Sequence, residues 1–294
     1  MADAVLKETG APARDVGPKE LARLKREQRR IVMVTVYDAP GARLADEAGV
    51  DALLVGDSAA MTVLGYASTV QVTIDEMLML TRAVTRTVTR PLVVADMPFG
   101  SFQVSDAAAV RNAVRFIKEG GADAVKIEGA GRTLSRAAAI VAAGIPVMGH
   151  IGLTPQSAVA LGGYKPQGRT AVEARRLRDD ALGLERAGCF AIVIEAVPAP
   201  VAARIGQALR VPTIGIGAGA ACDGQVLVWH DLLGLTTGRV PSFVKRYADL
   251  AQGARDALER YAADVRTGQF PEAAHTYPIS AVELDAFERQ LRDE

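Results

Sequence analysis

Short runs of consecutive apolar residues alternate along the chain with longer segments that carry charge. The short runs are rich in Val, Ile and Leu and predict buried strands. The predicted strands are Ile31–Val36, Ala52–Val55, Leu92–Asp96, Ala124–Glu128, Ile145–His150, Ala191–Glu195, Val211–Ile216 and Gln225–His230.

The segments between these runs predict helices, because several begin at a capping residue and end at a glycine. Thr73, with Glu76 three residues later, forms a capping-box pattern that predicts a helix from there to about Thr87. Met61–Val72 and Ile151–Gly168 show no clear period and are predicted loops. The other predicted helices are Leu21–Arg30, Pro40–Gly49, Ser105–Glu119, Thr133–Ala143, Ala171–Ala187, Pro198–Leu209 and Phe243–Thr267.

The alternation predicts an α/β protein whose parallel strands are joined by helical crossovers. Seven or eight such units in 294 residues fit a single (β/α)8 TIM barrel, with an open doubly wound sheet as the alternative. We expect a flexible leader over residues 1–20 and a catalytic barrel domain over 21–270. The barrel would carry an N-terminal helical extension and a C-terminal helical region, followed by a less regular tail over 271–294.

Four of the apolar runs lead to an acidic residue, namely Asp57, Asp96, Glu128 and Glu195. The carboxyl ends of barrel strands meet at one face, so these acids are predicted to share a site. Asp57, Asp96 and Glu128 are hard oxygen donors that suit octahedral Mg2+ together with water and a 2-oxo acid. Such an ion would stabilise an enolate beside the substrate carbonyl. For any one acid, a solvated loop or a helix cap is an equally good interpretation.

Lys126, Glu195 and His150 are the other candidate site residues. Lys126 lies two positions before Glu128, so both share a face of the strand, and Lys126 either binds a substrate oxygen or serves as the charge partner of Glu128. Glu195 is the candidate general acid or base. His150 either positions the substrate or is a hydrogen-bonded polar residue at the barrel rim.

The segment Gly215–Ala220 matches the G-x-G-x-x-A dinucleotide pattern, which is a weak signal alone. It comes late in the chain, and no acid follows about twenty residues on, as that pattern requires. A tight turn at the barrel mouth is the better interpretation.

Composition narrows the possible partners and location. Lys plus Arg and Asp plus Glu each number 34, so the formal charge is zero and the basic face of a nucleic-acid-binding protein is not expected. The N-terminus lacks a signal peptide, and no apolar run is long enough to span a membrane. Two cysteines do not make a disulfide framework, and the three histidines lack zinc-site spacing. We therefore expect a cytoplasmic protein without a nucleic-acid or membrane partner.

The ordered motifs of the chain resemble the ketopantoate hydroxymethyltransferase (3-methyl-2-oxobutanoate hydroxymethyltransferase) family from about Ile31 to Pro271. Each motif is short, but their number and order make a chance match improbable. The motifs are Val55-Gly56-Asp57-Ser58, Ala95-Asp96-Met97-Pro98-Phe99, Val125-Lys126-Ile127-Glu128-Gly129, Gly149-His150-Ile151-Gly152-Leu153-Thr154-Pro155-Gln156, Gly162-Gly163-Tyr164-Lys165, Ile194-Glu195-Ala196-Val197-Pro198, Gly215-Ile216-Gly217-Ala218-Gly219 and Asp223-Gly224-Gln225.

The resemblance implies a (β/α)8 barrel in a large homo-oligomer, usually a decamer. It implies transfer of a one-carbon unit from 5,10-methylenetetrahydrofolate to 3-methyl-2-oxobutanoate, giving 2-dehydropantoate in pantothenate synthesis. Carried over by motif, Asp57 and Asp96 bind Mg2+, and Glu128 joins the shell directly or through water. Ser58 and Lys126 bind the 2-oxo acid, and Glu195 transfers the proton.

This chain departs from the family pattern at Ala196, where the family has a bulkier residue such as Cys before the Val-Pro pair. Its leader and its tail after Pro271 are also longer than the common core needs. Neither departure involves the acids, so the implied activity is not put in doubt.

Two other functions are compatible with barrel-end acids. One is a related Mg2+-dependent lyase or mutase acting on phosphoenolpyruvate, pyruvate or isocitrate-type substrates. Such lyases commonly carry a reactive cysteine in a mobile loop, and neither Cys189 nor Cys222 occupies a plausible one. The other is a barrel kept as a ligand sensor or assembly subunit, against which the full set of acids argues.

Overall fold

A computed structural model of the chain describes residues 14–238 and 240–293, so most of the predicted leader lies outside the described residues. The strands are β1 (Ile31–Thr35), β2 (Ala52–Val55), β3 (Leu92–Asp96), β4 (Ala124–Glu128), β5 (Val147–Gly152), β6 (Ala191–Glu195), β7 (Thr213–Ile216) and β8 (Gly224–Val228). The α-helices are α1 (Pro18–Arg26), α2 (Ala39–Glu47), α3 (Ala59–Thr62), α4 (Ile74–Thr85), α5 (Asp106–Lys118), α6 (Thr133–Ala142), α7 (Ala171–Arg186), α8 (Ala199–Ala208), α9 (Trp229–Leu232), α10 (Leu250–Thr267) and α11 (Ala281–Gln290).

The eight strands form a closed parallel barrel in chain order. Closure is completed by β1 and β8, which pair in parallel from Ile31 opposite Gly224 to Thr35 opposite Val228. The predicted TIM barrel is confirmed, and the open doubly wound sheet is wrong because neither β1 nor β8 is an edge.

Side chains alternate between the two faces of each strand and so build two separate cores. One face points into the barrel, where Met33, Val94 and Val193 belong to a single buried cluster. The other face packs under the helices, where Leu53 and Ile192 join a larger cluster. A residue's position along its strand therefore decides whether it reaches the barrel interior.

Helix α1 closes the barrel at the N-terminal ends of the strands. Leu21 and Leu24, the buried residues of α1, belong to the same cluster as the barrel interior. Two ion pairs anchor this region: Arg14 Nε lies 2.7 Å from Asp123 Oδ2, and Lys25 Nζ lies 3.0 Å from Asp223 Oδ2. The C-terminal ends of the strands are therefore left as the mouth.

Predicted helix starts agree with the structure where a capping pattern was present. Thr73 and Glu76 form the reciprocal capping box at the start of α4. The Ser105 side chain accepts a hydrogen bond from Ala108 N at the start of α5. These caps work locally, so the sequence alone specifies them.

Other predicted boundaries are wrong. The predicted helix at Leu21–Arg30 is shifted toward the N-terminus as α1, and β5 continues past His150 to Gly152. The strand predicted through His230 ends at Val228, because α9 begins at Trp229. The predicted loop Met61–Val72 begins within α3 and also holds a 3-10 turn at Thr69–Gln71.

The C-terminal region also differs from its prediction. The long helix predicted from Phe243 begins only at Leu250, and the predicted irregular tail contains α11. Residues up to Tyr247 form one compact unit and Ala248–Glu294 a second. The second unit has no buried residue on α10 or α11 within the described chain. None of the described helices has the length and apolar character needed to cross a bilayer.

Candidate active site

Polar side chains occupy the inward-facing positions at the C-terminal ends of four consecutive strands. They share the strand face of Val94, Ala124, Met148 and Val193, which line the barrel interior. Register pairs Asp96 with Lys126 and Glu128 with His150. The strand-end polar residues are Asp96 on β3, Lys126 and Glu128 on β4, His150 on β5 and Glu195 on β6.

Asp57 joins this group from the turn that follows β2. Its backbone N–H donates a hydrogen bond to Asp96 Oδ2 at 3.1 Å. The turn passes close to its neighbours at Gly56, where a Cβ atom would lie 2.8 Å from Thr35 Cγ2. Only glycine fits there without displacing Thr35, and the next residue can then turn into the site.

Lys126 is the cation at the centre of the acids. Its Nζ lies 2.6 Å from Asp96 Oδ1 and 3.9 Å from Glu128 Oε1. Burial alone would lower the pKa of Lys126, but Asp96, Glu128 and Asp57 raise it above its ordinary range. Lys126 is therefore charged, and a substrate oxyanion could compete with the acids for it.

The environment of Asp57 and Asp96 disfavours their ionised forms. Burial raises the pKa of Asp57 well above its ordinary value, and repulsion from Asp96 and Glu128 adds to the rise. Burial also raises the pKa of Asp96, although Lys126 opposes it. Desolvated carboxylates near one another are stabilised by a bound cation.

His150 lies between two carboxylates. Its Nδ1 is 3.3 Å from Glu128 Oε1, and its Nε2 is 3.2 Å from Glu195 Oε2. Burial and Lys126 lower the pKa of His150, but contacts with Glu128 and Glu195 outweigh them and raise it to about 9. His150 is therefore protonated at neutral pH. Nδ1 must then donate to Glu128, so the 3.4 Å approach of Lys126 Nζ to that nitrogen is not a hydrogen bond.

Glu128 is held by contacts on both carboxylate oxygens. Oε2 accepts a hydrogen bond from Gln156 N at 3.0 Å, while Oε1 faces His150. Burial would raise the pKa of Glu128, but His150, Lys126 and the Gln156 N–H lower it overall. Glu128 is thus ionised and already well hydrogen-bonded.

Gln156 connects three of the strand ends and received no role from the sequence. It is buried in a 3-10 turn after β5, and its Nε2 donates to Asp57 Oδ2 at 2.9 Å and to Met97 O at 3.0 Å. Its backbone N–H donates to Glu128. The motif Gly149–Gln156 contained this residue, but only the folded turn places its amide between the acids.

Glu195 lies at the edge of the group. Its side chain is 15% exposed, whereas those of Asp96 and Glu128 are 3% exposed. The next residue, Ala196, has φ of +49°, an uncommon backbone conformation for a residue with a Cβ. A strained bend therefore follows the candidate base directly.

A cavity of about 930 Å3 opens at the barrel mouth. Its walls include residues on the β8 side of the barrel that no sequence motif connected with the site, among them Val228, Asp231 and Val244. Ser58 Oγ lies 2.7 Å from Tyr37 Oη, which fixes the hydroxyl at the wall. The cavity brings together every predicted site residue: Asp57, Ser58, Asp96, Lys126, Glu128, His150 and Glu195.

Asp57 and Asp96 are the residues that fit a divalent cation best. Over residues 14–238 and 240–293, no three His, Cys, Asp or Glu side chains are arranged to hold a metal ion. Mg2+ does not need three, because it keeps several waters and takes one or two carboxylates with substrate oxygens. Within the described chain, Asp96 Oδ1 is buried without an aligned hydrogen bond, and four carboxylates of the site face two cations, Lys126 and His150. The donor chemistry and the excess negative charge both fit Mg2+.

Comparison with known proteins gives strong matches over most of the chain. The family model described as Ketopantoate hydroxymethyltransferase matches residues 16–273. The 3-methyl-2-oxobutanoate hydroxymethyltransferase of Acidothermus cellulolyticus is 57% identical over 253 residues, covering 86% of this chain and 93% of that protein. The enzyme of the same name from Moorella thermoacetica is 57% identical over 258 residues, covering 88% and 96%.

Solved structures share the fold at much lower sequence identity. A phosphonopyruvate hydrolase complex with oxalate and Mg2+ has a TM-score of 0.58 at 15% identity, covering 94% of this chain and 97% of that one. An oxaloacetate acetylhydrolase with its product oxalate has a TM-score of 0.58 at 16% identity, covering 95% and 99%. At these identities the likeness extends to the barrel fold alone.

Proposed function

The chain belongs to the ketopantoate hydroxymethyltransferase family, and from that premise we propose how its barrel mouth works. It is a transferase that hydroxymethylates 3-methyl-2-oxobutanoate in pantothenate synthesis, the activity for which its relatives are named. The proposal is that the one-carbon unit comes from 5,10-methylenetetrahydrofolate and that the reaction proceeds through a Mg2+-stabilised enolate.

One observation carries the proposal: the site combines a charged lysine, two aspartates suited to a cation and a separate glutamate within one cavity. Asp57 and Asp96 would hold the ion. When bound there, Mg2+ would supply Lewis-acid stabilisation of negative charge on the substrate's oxygens. Glu128, which Gln156 and His150 already engage, would act through water rather than as a direct ligand.

Lys126 and Ser58 would bind the 2-oxo acid. The Lys126 ammonium offers charge to the carboxylate or keto oxygen of the substrate, and its interaction with Asp96 holds it in place. Ser58 Oγ, fixed by Tyr37 Oη, offers a hydroxyl from the neighbouring wall. Orientation by two anchored groups would present C3 of the substrate to one side of the cavity.

Glu195 would remove the C3 proton, and the enolate carbon would form a bond to the methylene carbon of the donor. Both C–N bonds of that carbon break, water supplies the hydroxyl oxygen, and the C3 proton and one proton of the water end on the two nitrogens of the released tetrahydrofolate. A general base must be positioned near its proton, and protonated His150 faces Glu195 Oε2 at 3.2 Å. His150 is in turn held by Glu128 on its other side. Its proposed role is therefore to orient the base.

Proton exchange tests the proposal without the folate. The protein is incubated with 3-methyl-2-oxobutanoate in D2O, with Mg2+, with EDTA, and with Mg2+ plus tetrahydrofolate, and the C3 proton is followed by NMR. We expect Mg2+-dependent loss of the C3 signal, and a drop on the order of 10²–10⁴ in exchange rate for Glu195→Gln. Glu259→Gln, an exposed change on α10, is the matched control. Absence of exchange in all three mixtures would contradict the enolate mechanism.

The remaining parts of the proposal are a decameric assembly and a cytoplasmic location. Both rest on the family, and two buried free cysteines are compatible with a reducing compartment. The lyase alternative has less support, because Cys189 and Cys222 are buried and the pKa of each thiol is raised by burial.

A further inference from the structure

The cavity is larger than the oxo acid requires. A substrate with about eight non-hydrogen atoms takes up on the order of 250 Å3, if each atom occupies the ~30 Å3 share of a water molecule in the liquid. The cavity measures about 930 Å3. Its size lies within the range of sites that enclose a drug-sized ligand, so a second and larger molecule has room beside the acids.

The free space is bordered by a wall on the far side of the barrel. In the closed order of strands, β8 lies four strands from β4, which carries Lys126 and Glu128. The β8 wall, as we call it, consists of the cavity-lining residues His230, Asp231, Thr236, Thr237, Ser242 and Phe243. None of these has a role in the proposed enolisation.

Two polar side chains of the β8 wall are candidates for binding a ligand, and the first is His230. Among the described residues, its Nδ1 is buried and makes no hydrogen bond. Its ring lies 5.5 Å from the ring of Tyr37, centroid to centroid, which fixes its plane. Burial lowers the pKa of His230, so the ring is neutral at neutral pH and can offer one nitrogen as donor or acceptor.

Asp231 is the second polar group, and its carboxylate is fixed. Oδ1 accepts a hydrogen bond from Thr236 Oγ1 at 2.6 Å. In the part of the chain that the structure describes, Asp231 forms no ion pair, unlike Asp96 at the opposite side. A carboxylate held in a cavity wall suits a planar ligand edge with two adjacent N–H donors.

Phe243 supplies a flat apolar surface in the lining of the same cavity. A Cβ atom on Gly217, which has φ of +62°, would lie 2.6 Å from Phe243 Cδ1, so the ring rests against the backbone of the turn after β7. The glycine-rich segment therefore makes room for an aromatic side chain of the wall. Planar ligands bind well where an apolar face borders a few fixed polar groups.

We propose that the β8 wall is the subsite for the planar aminopyrimidinone ring of the one-carbon donor. Asp231 accepts from the two N–H groups on that edge, His230 Nδ1 makes a further hydrogen bond, and Phe243 borders the ring. This subsite rests on the proposed function, since it assumes that the donor is a reduced folate.

Two variants and two readouts test the subsite. Asp231→Asn keeps the shape but replaces one acceptor by a donor, and His230→Gln removes the imidazole. For both variants we expect tetrahydrofolate to bind at least tenfold more weakly by calorimetry, and the Michaelis constant for the methylene donor to rise by a similar factor. For Asp231→Asn, the rate of C3 exchange in D2O without folate should stay within twofold of wild type, because the side-chain hydrogen bond of Asp231 goes to Thr236 and not to a group that binds or enolises the oxo acid.

Asp179→Asn is the matched control, since it removes the same charge from a side chain that is 57% exposed on α7. Unchanged folate affinity in both wall variants would overturn the subsite. An equal loss of exchange and of folate affinity would also overturn it, because it would indicate general damage. Failure of the proposed function is a separate result: the wild-type enzyme itself would not turn over the two substrates.

Discussion

The two ends of the barrel both carry aspartates, yet these residues do opposite things. At the N-terminal end, Asp51, Asp123 and Asp223 immediately precede β2, β4 and β8. Each accepts a hydrogen bond from the first backbone N–H groups of a neighbouring strand. The donors are Val32 N at 2.9 Å, Val93 N at 2.8 Å and Thr213 N at 2.8 Å.

At the mouth, the acids follow the strands, where parallel strands present carbonyl oxygens rather than N–H groups. Asp57 and Asp96 therefore find few donors and come close to each other and to Glu128. An aspartate therefore stabilises the fold when it precedes a strand and is left available for chemistry when it follows one.

Replacing a mouth aspartate should give the largest effect. We expect Asp57→Asn to lower kcat by about 10²–10³-fold, because a charge that the transition state requires is lost. The folded pKa of Asp57 is raised above its ordinary 3.8, so its ionised form opposes folding at neutral pH. The variant should therefore be more stable than wild type at pH 7, and the gain should shrink toward pH 4. Steady-state kinetics measures the loss of kcat, and urea unfolding at several pH values measures the change in stability. A variant that is both inactive and destabilised at pH 7 would remove the contrast between the two ends.

Replacing an acid at the N-terminal end of the barrel should lower the stability of the fold and leave activity unchanged. Asp223 Oδ2 takes hydrogen bonds from Lys25 Nζ, Thr213 N and Thr213 Oγ1. Asp223→Ala should lower the free energy of unfolding by about 2–3 kcal/mol, since it leaves buried donors unsatisfied. Activity per folded molecule should not change. Urea unfolding followed by kinetics on the folded protein checks this, with Asp223→Asn as a milder control. A fall in kcat at full folding would contradict it.

Gln156 tests whether the mouth acids need a positioning residue. Gln156→Met removes the donors to Asp57 Oδ2 and Met97 O while keeping the length of the side chain. Loss of a group that orients metal ligands typically costs about 10–100-fold in metal affinity or activity. We expect that drop in kcat together with a higher Mg2+ concentration for half-maximal activity. Gln103→Met is the control. At the site it removes one hydrogen bond, which Gln103 Nε2 donates to Gln156 Oε1 at 3.3 Å. If both variants behave alike, Gln156 does not position the acids.

His150 should give the smallest effect, visible as a pH dependence. Its folded pKa of about 9 lies above the ordinary 6.5, so it stabilises the fold fully below pH 6.5 and loses this contribution as pH rises through about 9. The stability difference between wild type and His150→Gln should fall by on the order of 1–2 kcal/mol over that window. Chemical denaturation between pH 6 and 10 measures it, with exposed His275→Gln as control. A difference that is constant over this range would mean that His150 does not bridge the two glutamates as a cation.

Much of the mouth was predictable because it depends on short-range rules. Strand alternation placed Asp96, Lys126 and Glu128 on one face, and the apolar runs showed where each strand ends. The closed barrel followed from the number of strand–helix units. These inferences need only local periodicity and the tendency of parallel strands to share their ends.

What the sequence did not show depends on contacts between distant residues. Gln156 bonds to Asp57 across 99 positions of sequence, and no local pattern marks that pairing. The β8 wall was missed because Trp229 and His230 continue an apolar run but lie in a helix. The acids before the strands were not singled out, since their donors belong to neighbouring strands rather than to their own segment.

Helix α1 closes one end of the barrel to the substrates. Over the described chain, Leu21 and Leu24 fill the barrel interior at that end, so ligands pass through the mouth. The oxo acid and the donor must therefore enter by the same opening, and both products must leave by it. By filling the other end, two leucines give a two-substrate reaction a shared entrance and exit.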